Sequence, residues 1–519
     1  MRGPTVPPHE EMRRALEEKD WIKVERLGFK ALRADPADTK AWEILGEALL
    51  RQGYGTSARK AFRRAYLFQP QKQLARWNAP AEEGDSILNN GRSHPLVEQL
   101  LAWPRVPTVA AVIVAKNESR SIGRCLESLK GAVDEILVVD TGSTDDTAAL
   151  AETFPGVRVL FYAWNDDFAA ARNFGLDHIA ADWVLWIDAD EWVHPDDKPL
   201  IREAAAMLDA VTPTPVLHPM IVNRLGSTTS IAMNVPRLFP RRGDLRFHGR
   251  IHEQIAPVKG NRYTDLRTRD YLVTIRILHD GYDPAHTDIR AKLQRNIRLL
   301  NQMVQEEPAD PTWLMYLGRE VLSAGDVKKG TSLLLAAEER AKTTPGFGAL
   351  LEIQRLLVQA YLFQSAYDEA ERVAERMQET DPRFPDSHYY LAHIRVEKAK
   401  RLLQAAEEDL RRLRAQGDNY AGLVNVDADI HAWKADLLQA NLCGLTGRIA
   451  EAKARYTDLY GHCPGYDEAI AQQIALIDQQ ARQISSPMVL PRIGEGRLLE
   501  PCTRPAIKNI GPVTGVTTI

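Results

Sequence analysis

The runs VAAVIVAKNES (109–119), EILVVDTGSTDDT (135–147), VRVLFY (157–162) and WVLWIDADE (183–191) decide how this chain is read. Each opens on a β-branched or aromatic stretch of strand length, and helical sequence separates one from the next. Near-continuous apolar strands in that alternation imply βαβ units and a parallel sheet covered on both faces, in a domain from about 106 to 285. Ligands of such sheets gather beyond the carboxyl ends of the strands. Those ends read Ala115-Lys116-Asn117-Glu118-Ser119, then Asp140-Thr141-Gly142-Ser143, then Asp188-Ala189-Asp190-Glu191. Three acidic strand ends at one edge make an electronegative mouth, suited to a divalent cation or to the donor groups of a nucleotide.

The Asp-x-Asp at 188–190 is the sharpest of these signals. Two carboxylates at i and i+2 on a strand leaving the sheet can reach the same side of a turn. Hard cations such as Mn²⁺ or Mg²⁺ take oxygen ligands and keep positions open for phosphate oxygens. A lone Asp-x-Asp is common in solvated turns; here it follows the buried-type run Val184–Ile187.

On either side of this domain the pattern becomes helical. Trp42, Leu45-Gly46, Leu49, Ala58, Phe62, Ala65 and Pro70 stand at the offsets of a 34-residue tetratricopeptide repeat. The pattern returns more loosely after residue 310: Leu317-Gly318, Val321, Gly330, Leu334 and Ala337; then Tyr361, Ala370, Ala374, Met377 and Pro382. After a longer helical insertion near 386–431 it closes with Cys443, Ala452, Tyr456, Leu459 and Pro464. A repeat cannot bury its apolar face alone, so these units should stack. The expected organisation is a helical region at 9–100, the α/β domain at 106–285, helical repeats at 286–484 and an irregular tail, rich in Pro, Gly and Thr, at 485–519.

Composition narrows the function classes. A net charge of −4 over 519 residues lacks the basic footprint of a nucleic-acid-binding protein. Four cysteines without a CxxC pair support neither a zinc site nor a disulfide framework. No apolar run is long enough to span a bilayer, and MRGPTVPPHEEMRR carries no secretory h-region. A cytoplasmic protein with no stable membrane insertion is expected.

The order IVAKNES, EILVVDTGSTDDT, DFAAARNFG and WVLWIDADE resembles a family 2 glycosyltransferase with the GT-A fold, a Rossmann-like architecture for nucleotide-diphospho-sugar transferases. RFHGRIHEQI (246–255), ILHDGY (277–282) and WLMYLGRE (313–320) bring the chain close to the sublancin-type peptide S-glycosyltransferases. Those enzymes glucosylate cysteine, and in some relatives serine, of bacteriocin precursors. The resemblance covers roughly residues 106–330. It implies a GT-A domain flanked by all-α tetratricopeptide-like repeats, a UDP-sugar donor and a peptide or protein acceptor.

Carried onto this sequence, the resemblance assigns Ala115, Asn117, Glu118, Asp140, Arg172, Asp188, Ala189 and Asp190 to the donor site. Asp140 would accept from the uracil ring, and Arg172 would face the base or the diphosphate. Asp190 would bind the metal directly and Asp188 would bond the ribose or a metal-bound water, with neutral His279 as a ligand from the far side. Glu253, beside His252, would be the base that deprotonates the acceptor. Trp192 would stack on a sugar or peptide, and His248 or His252 would be acceptor-positioning or structural. The remaining aromatics near the mouth, Phe161, Tyr162, Trp164, Phe168, Trp183 and Trp186, are expected mostly in the core. The repeats would offer a groove to the acceptor, or could pair two copies of the chain. Two further readings stand beside this one: transfer to a lipid-linked or surface-polysaccharide sugar, and a scaffold whose catalytic domain has decayed.

Overall fold

A computed structural model describes residues 8–70, 91–102, 105–225, 228–242, 245–258, 263–264, 268–280, 289–416 and 422–485. The expected tail from 486 onward, and Gly281 and Tyr282 of the ILHDGY segment, lie outside the described residues. The described residues divide into two compact units, the break falling between Ile353 and Gln354.

The first unit opens with α1 (Pro8–Glu17), α2 (Trp21–Ala34), α3 (Thr39–Arg51), α4 (Gly55–Leu67) and α5 (Pro95–Leu101). Asp20 and Asp38 cap α2 and α3 by accepting from Lys23 N and Ala41 N, satisfying amides that a helix start leaves open. Gly46 of α3 lets the Phe62 ring of α4 lie flat against it, where a Cβ would stand 2.8 Å away.

Next come β1 (Val109–Ala115), α6 (Ile122–Leu129), β2 (Glu135–Asp140), α7 (Thr147–Glu152), β3 (Val157–Phe161), α8 (Phe168–Asp177) and β4 (Trp183–Trp186). They form the parallel array β3-β2-β1-β4 that the sequence leads one to expect. Alternation splits β1 between two cores. Val109, Ala111 and Ile113 pack with Ile122, Cys125 and Leu126 of α6. Ala110 and Val112 face Ala169 and Leu176 of α8.

Beyond β4 the sheet becomes mixed, a feature the parallel-sheet expectation missed. β5 (Glu191–Val193), α9 (Lys198–Leu208), β6 (Thr214–Leu225), β7 (Thr228–Ala232), β8 (Leu238–Pro240) and β11 (Thr268–His279) extend it in the order β4-β8-β6-β11-β5, with β7 on β6. The short β8 runs antiparallel to β4, and the strand direction reverses there. β9 (Leu245–His248) and β10 (Gln254–Pro257) make a separate antiparallel pair. Trp183 and Trp186 are fully buried, but Phe161 is 68% exposed; it stands on β3, which among the described residues has a strand neighbour on one side only.

α10 (Ile289–Glu306), α11 (Pro311–Ser323) and α12 (Val327–Thr343) complete this unit, and the division falls within α13 (Leu350–Phe363). The N-terminal helices join the same core as β11: Phe68 meets Tyr271 edge-on at 6.0 Å, and Arg269 pairs with Asp35 at 2.8 Å.

The second unit continues with α14 (Tyr367–Thr380), α15 (Pro385–Gln416), α16 (Ala435–Leu445), α17 (Ile449–Leu459) and α18 (Asp467–Ser485). Ala370, Val373, Ala374 and Met377 are the buried face of α14. Trp433, Cys443, Ala452, Tyr456 and Ile470 form the core of the last helices.

Gly175 of α8 tests the packing against the sheet. An added Cβ would lie 2.7 Å from Val112 Cγ1 and 3.1 Å from Val139 Cγ2, both stiff β-branched groups. Gly175→Ala should destabilise the fold by about 1–3 kcal/mol in urea unfolding followed by tryptophan fluorescence. Gly123→Ala, whose nearest neighbour is 3.8 Å away, should leave the midpoint nearly unchanged.

Candidate active site

The first two strand ends are laced together. Asn117 sits in the left-handed region (φ 57°); its Oδ1 accepts from Thr144 N at 2.8 Å, and its own N–H reaches Ser143 Oγ at 2.9 Å. Glu118 N–H donates to Thr147 Oγ1 at 2.7 Å. Asp140 Oδ1 accepts from Gly142 N and Ser143 N, each at 2.8 Å. Its other oxygen, Oδ2, is buried and has no partner among the described residues. A buried carboxylate oxygen left open needs a donor, and a ring N–H of a bound base is one. The Ala115 carbonyl is taken by Thr141 N at 3.0 Å. The Glu118 carboxyl is pushed up by burial and by the nearby charges of Asp190 and Asp188, against a hydrogen bond from Ser121.

The Asp188–Glu191 turn rests on two arginines. Asp188 Oδ1 accepts from Arg172 Nη2 at 3.1 Å, and Oδ2 from Arg237 Nη2 at 2.7 Å. Arg237 Nη2 also donates to Glu191 Oε1 at 2.6 Å, while Glu191 Oε2 takes the Asp188 N–H at 3.0 Å. Burial raises both carboxyls, but for Asp188 the Arg237 and Arg172 guanidinium groups prevail and hold it well below the usual carboxylate range. Glu191 stays raised, with burial leading and Asp188 adding to it. Ala189 is buried between the two acids. Cys125, also fully buried, directs its thiol to the Asp188 carbonyl.

Asp190 points the other way. The end of β11 lies between β5 and β6, pairing His279 with Glu191 on one side and Asn223 on the other. His279 Nε2 stands 3.2 Å from Asp190 Oδ2, and its Nδ1 is 2.7 Å from Asn223 Oδ1. An amide oxygen only accepts, so Nδ1 carries a proton; a cation at Nε2 would replace the proton shared with Asp190 and leave the tautomer of a metal-ligating histidine. Burial opposes charge on this imidazole, yet the Asp190 hydrogen bond and the fields of Glu191 and Asp188 raise its pKa overall. A carboxylate and an imidazole side by side fit a cation that draws its other ligands from phosphate and water. No set of three His, Cys, Asp or Glu side chains converges as a metal cluster among the described residues. Both Asp188 oxygens face arginines instead.

Opposite this turn, Arg172 lies over the Trp186 ring at 4.8 Å and donates from Nε to Glu253 Oε1 at 2.8 Å. One guanidinium therefore joins the Asp-x-Asp turn to the loop between β9 and β10. His252, in the left-handed region at φ 55°, turns toward Glu320 of α11. His248 pairs with Glu307 at 2.7 Å. The Trp192 face is covered by the Arg124 guanidinium at 3.6 Å. Arg237 and Asn223 are not singled out by the sequence, and Glu191 is read only as part of an acidic strand end. Arg237 had a signal, an arginine set in the apolar run Pro236–Pro240; Asn223 had none, because its role depends on strand register.

Residues 110–268 match the sequence profile of glycosyl transferase family 2. With the strand order above, this part of the chain is a GT-A glycosyltransferase domain, joined to tetratricopeptide-like helices. Among curated relatives, the SPbeta prophage-derived glycosyltransferase SunS of Bacillus subtilis (strain 168) is 34% identical over 216 residues, 41% of this chain and 49% of SunS. A TPR repeat-containing protein of Synechococcus elongatus is 30% identical over 245 residues, 46% of this chain and 58% of its own length. The chain thus spans about half the length of these curated relatives. Among solved structures, TarS 1–349 of S. aureus aligns at 14% identity over 53% of this chain and 90% of that chain, with a TM-score of 0.30.

Arg237 is 8% exposed and Glu191 3%, so removing the cation strands a buried carboxylate. Arg237→Met should lower stability by about 3–5 kcal/mol in denaturant unfolding.

Proposed function

We propose that the chain is a metal-dependent inverting glycosyltransferase. It would move a hexose, glucose or a close relative, from a UDP-sugar to a Cys or Ser/Thr side chain of a peptide or protein. The observation that carries the reading is the Asp190–His279 pair, with His279 held by Asn223 in the tautomer a metal ligand needs, at the same sheet edge as the open Asp140 oxygen. The acceptor class rests on the resemblance of 246–255, 277–282 and 313–320 to peptide S-glycosyltransferases, and on the similarity to SunS. Cysteine usage favours work in the cytoplasm, and no helix among the described residues is long and apolar enough to cross a membrane.

In this reading Asp140 accepts from the uracil ring, with Asn117 and Glu118 beside it. Asp190 and His279 would hold Mn²⁺ or Mg²⁺, which would supply positive charge to the departing diphosphate. Arg237 and Arg172 keep Asp188 ionised and aimed, ready to bond the ribose or a metal-bound water. Glu253, oriented by Arg172, takes the acceptor proton. The acceptor lone pair forms the bond to the anomeric carbon on the face opposite the diphosphate. The bond from that carbon to the diphosphate oxygen breaks, and its electron pair leaves with UDP. Trp192 and His248 would lie on the acceptor side, and the helical repeats would supply the acceptor's groove or pair two copies of the chain.

The deciding experiment monitors nucleoside diphosphate release from a panel of nucleotide sugars with Mn²⁺ or Mg²⁺. One UDP-sugar should be hydrolysed slowly, with loss of release in chelator and in Asp190→Ala or His279→Ala. Metal-independent binding, or none, would return the decayed-scaffold reading.

Once a peptide acceptor is found, Glu253→Gln should cut transfer about 10²–10⁴-fold while leaving UDP-sugar binding intact. A thiol, with an ordinary pKa of about 8.5, needs less help from a base than a hydroxyl does. The loss should therefore be smaller on a Cys acceptor than on its Ser counterpart, as paired kinetic assays would reveal.

A further inference from the structure

The Glu253 loop is not supported by the sheet alone. From His248 to His252, almost every residue is tied to α10 or α11. His248 bonds Glu307, which also accepts from Trp313 Nε1 at 2.8 Å. Gly249 (φ 98°) lies against the Trp313 ring, where a Cβ would come within 2.3 Å. Arg250 pairs with Glu306 at 2.8 Å, and its amide faces Met303 Sδ at 3.2 Å.

His252 takes a left-handed backbone that costs a non-glycine residue energy unless its surroundings fix it. Three side chains of α11 do so. Tyr316 lies against the imidazole at 4.5 Å between ring centres. Glu320 Oε1 stands 3.3 Å from Nε2, and Arg319 Nη2 stands 3.1 Å from the same nitrogen and 3.0 Å from Glu320 Oε1. The side chains of His252, Glu320 and Arg319 are each only 12–13% exposed. Burial pushes His252 toward its neutral form despite Glu320. The Glu320 carboxyl, though desolvated, is held at about 2 by His252 and Arg319. With Tyr316 against its ring and Glu320 and Arg319 both at its Nε2, the imidazole is held in place, and the next residue along the chain is Glu253.

We propose that Glu320 and Arg319 are positioning residues for the acceptor-side base. They lock His252, and through it the loop that presents Glu253, so that the first helical hairpin after the sheet forms half of the catalytic centre. The inference rests on the transferase reading for its kinetic consequence, but not for its structural one. A residue acting through another in this way sets the geometry of the reacting group rather than donor affinity.

The test uses the full chain with Glu320→Ala and Glu320→Gln, read by kinetics and by amide hydrogen exchange. Glu320→Ala should lower kcat for transfer about tenfold or more, with the UDP-sugar KM and the metal requirement changed by less than about twofold. Glu320→Gln, which keeps an oxygen for Arg319, should recover part of that loss. Exchange at 249–254 should quicken in Glu320→Ala while β1 and β4 stay as protected as in the wild type. Unchanged exchange at 249–254, or equal loosening of β1 and β4, would overturn the inference, as would an unaltered kcat in an active enzyme. If the wild type turns over no sugar nucleotide, the transferase reading fails, and exchange alone then decides whether Glu320 positions the loop.

Discussion

A single guanidinium, that of Arg237, supports the two acids that bracket the Asp-x-Asp turn. Arg237 comes from the segment leading into β8, reaches under the end of β4, and binds Asp188 and Glu191 with one nitrogen. Without it the buried Glu191 carboxylate would stand beside Asp188 with only the Arg172 contact to Asp188 to offset their repulsion. With it, Asp188 is fixed toward the arginines, and Asp190, two residues on, faces His279. The strand β8, antiparallel to β4, brings this cation to the site from the segment just before it. Arg172 extends the network outward, so that the turn and the Glu253 loop share one charged strut.

In the proposed reading the two sides of the site are built differently. The donor side would rest on strand ends, and the acceptor side on a hairpin loop that holds two residues at positive φ, Gly249 and His252, against helices α10 and α11. The helical segments of this unit are thus packed directly on the Glu253 loop. At the other end of the chain the N-terminal helices merge with the same core through β11.

The sequence was most informative where local chemistry repeats. The four parallel strands were legible because burial on both faces leaves unbroken apolar runs, and the Asp140 and Asp188–Asp190 strand ends because acids there interrupt such runs. The N-terminal repeat was legible because Gly46 and Ala65 are required where two helices touch. What escaped were features fixed by partners far away in the chain. The strand β8 is three residues long and has no periodicity to read. Asn223 matters because strand register sets it beside His279, 56 positions later. Phe161 looked like core by residue type, but its exposure is decided by the lack of a further strand beyond β3. Glu253 is ion-paired with Arg172, a contact that leaves its expected role as the base open, since Arg172 is itself among the expected site residues.

β11 also sets an order of events. It lies between β6 and β5, and among the described residues β5 has no other neighbour in the sheet. Its middle meets the Leu67 carbonyl, 207 residues earlier. During synthesis, the turn at 188–191 therefore leaves the ribosome long before the strand that anchors it. The first four strands can pair locally while β5 and the docking face for the N-terminal helices wait for residues 268–279. Long-range closure of this kind is slow compared with local pairing, and it leaves apolar surface open in the interval. The turn at 188–191 is thus encoded early and fixed late, and the apolar surface it shares with β11 stays open while the stretch between β4 and β11 is made.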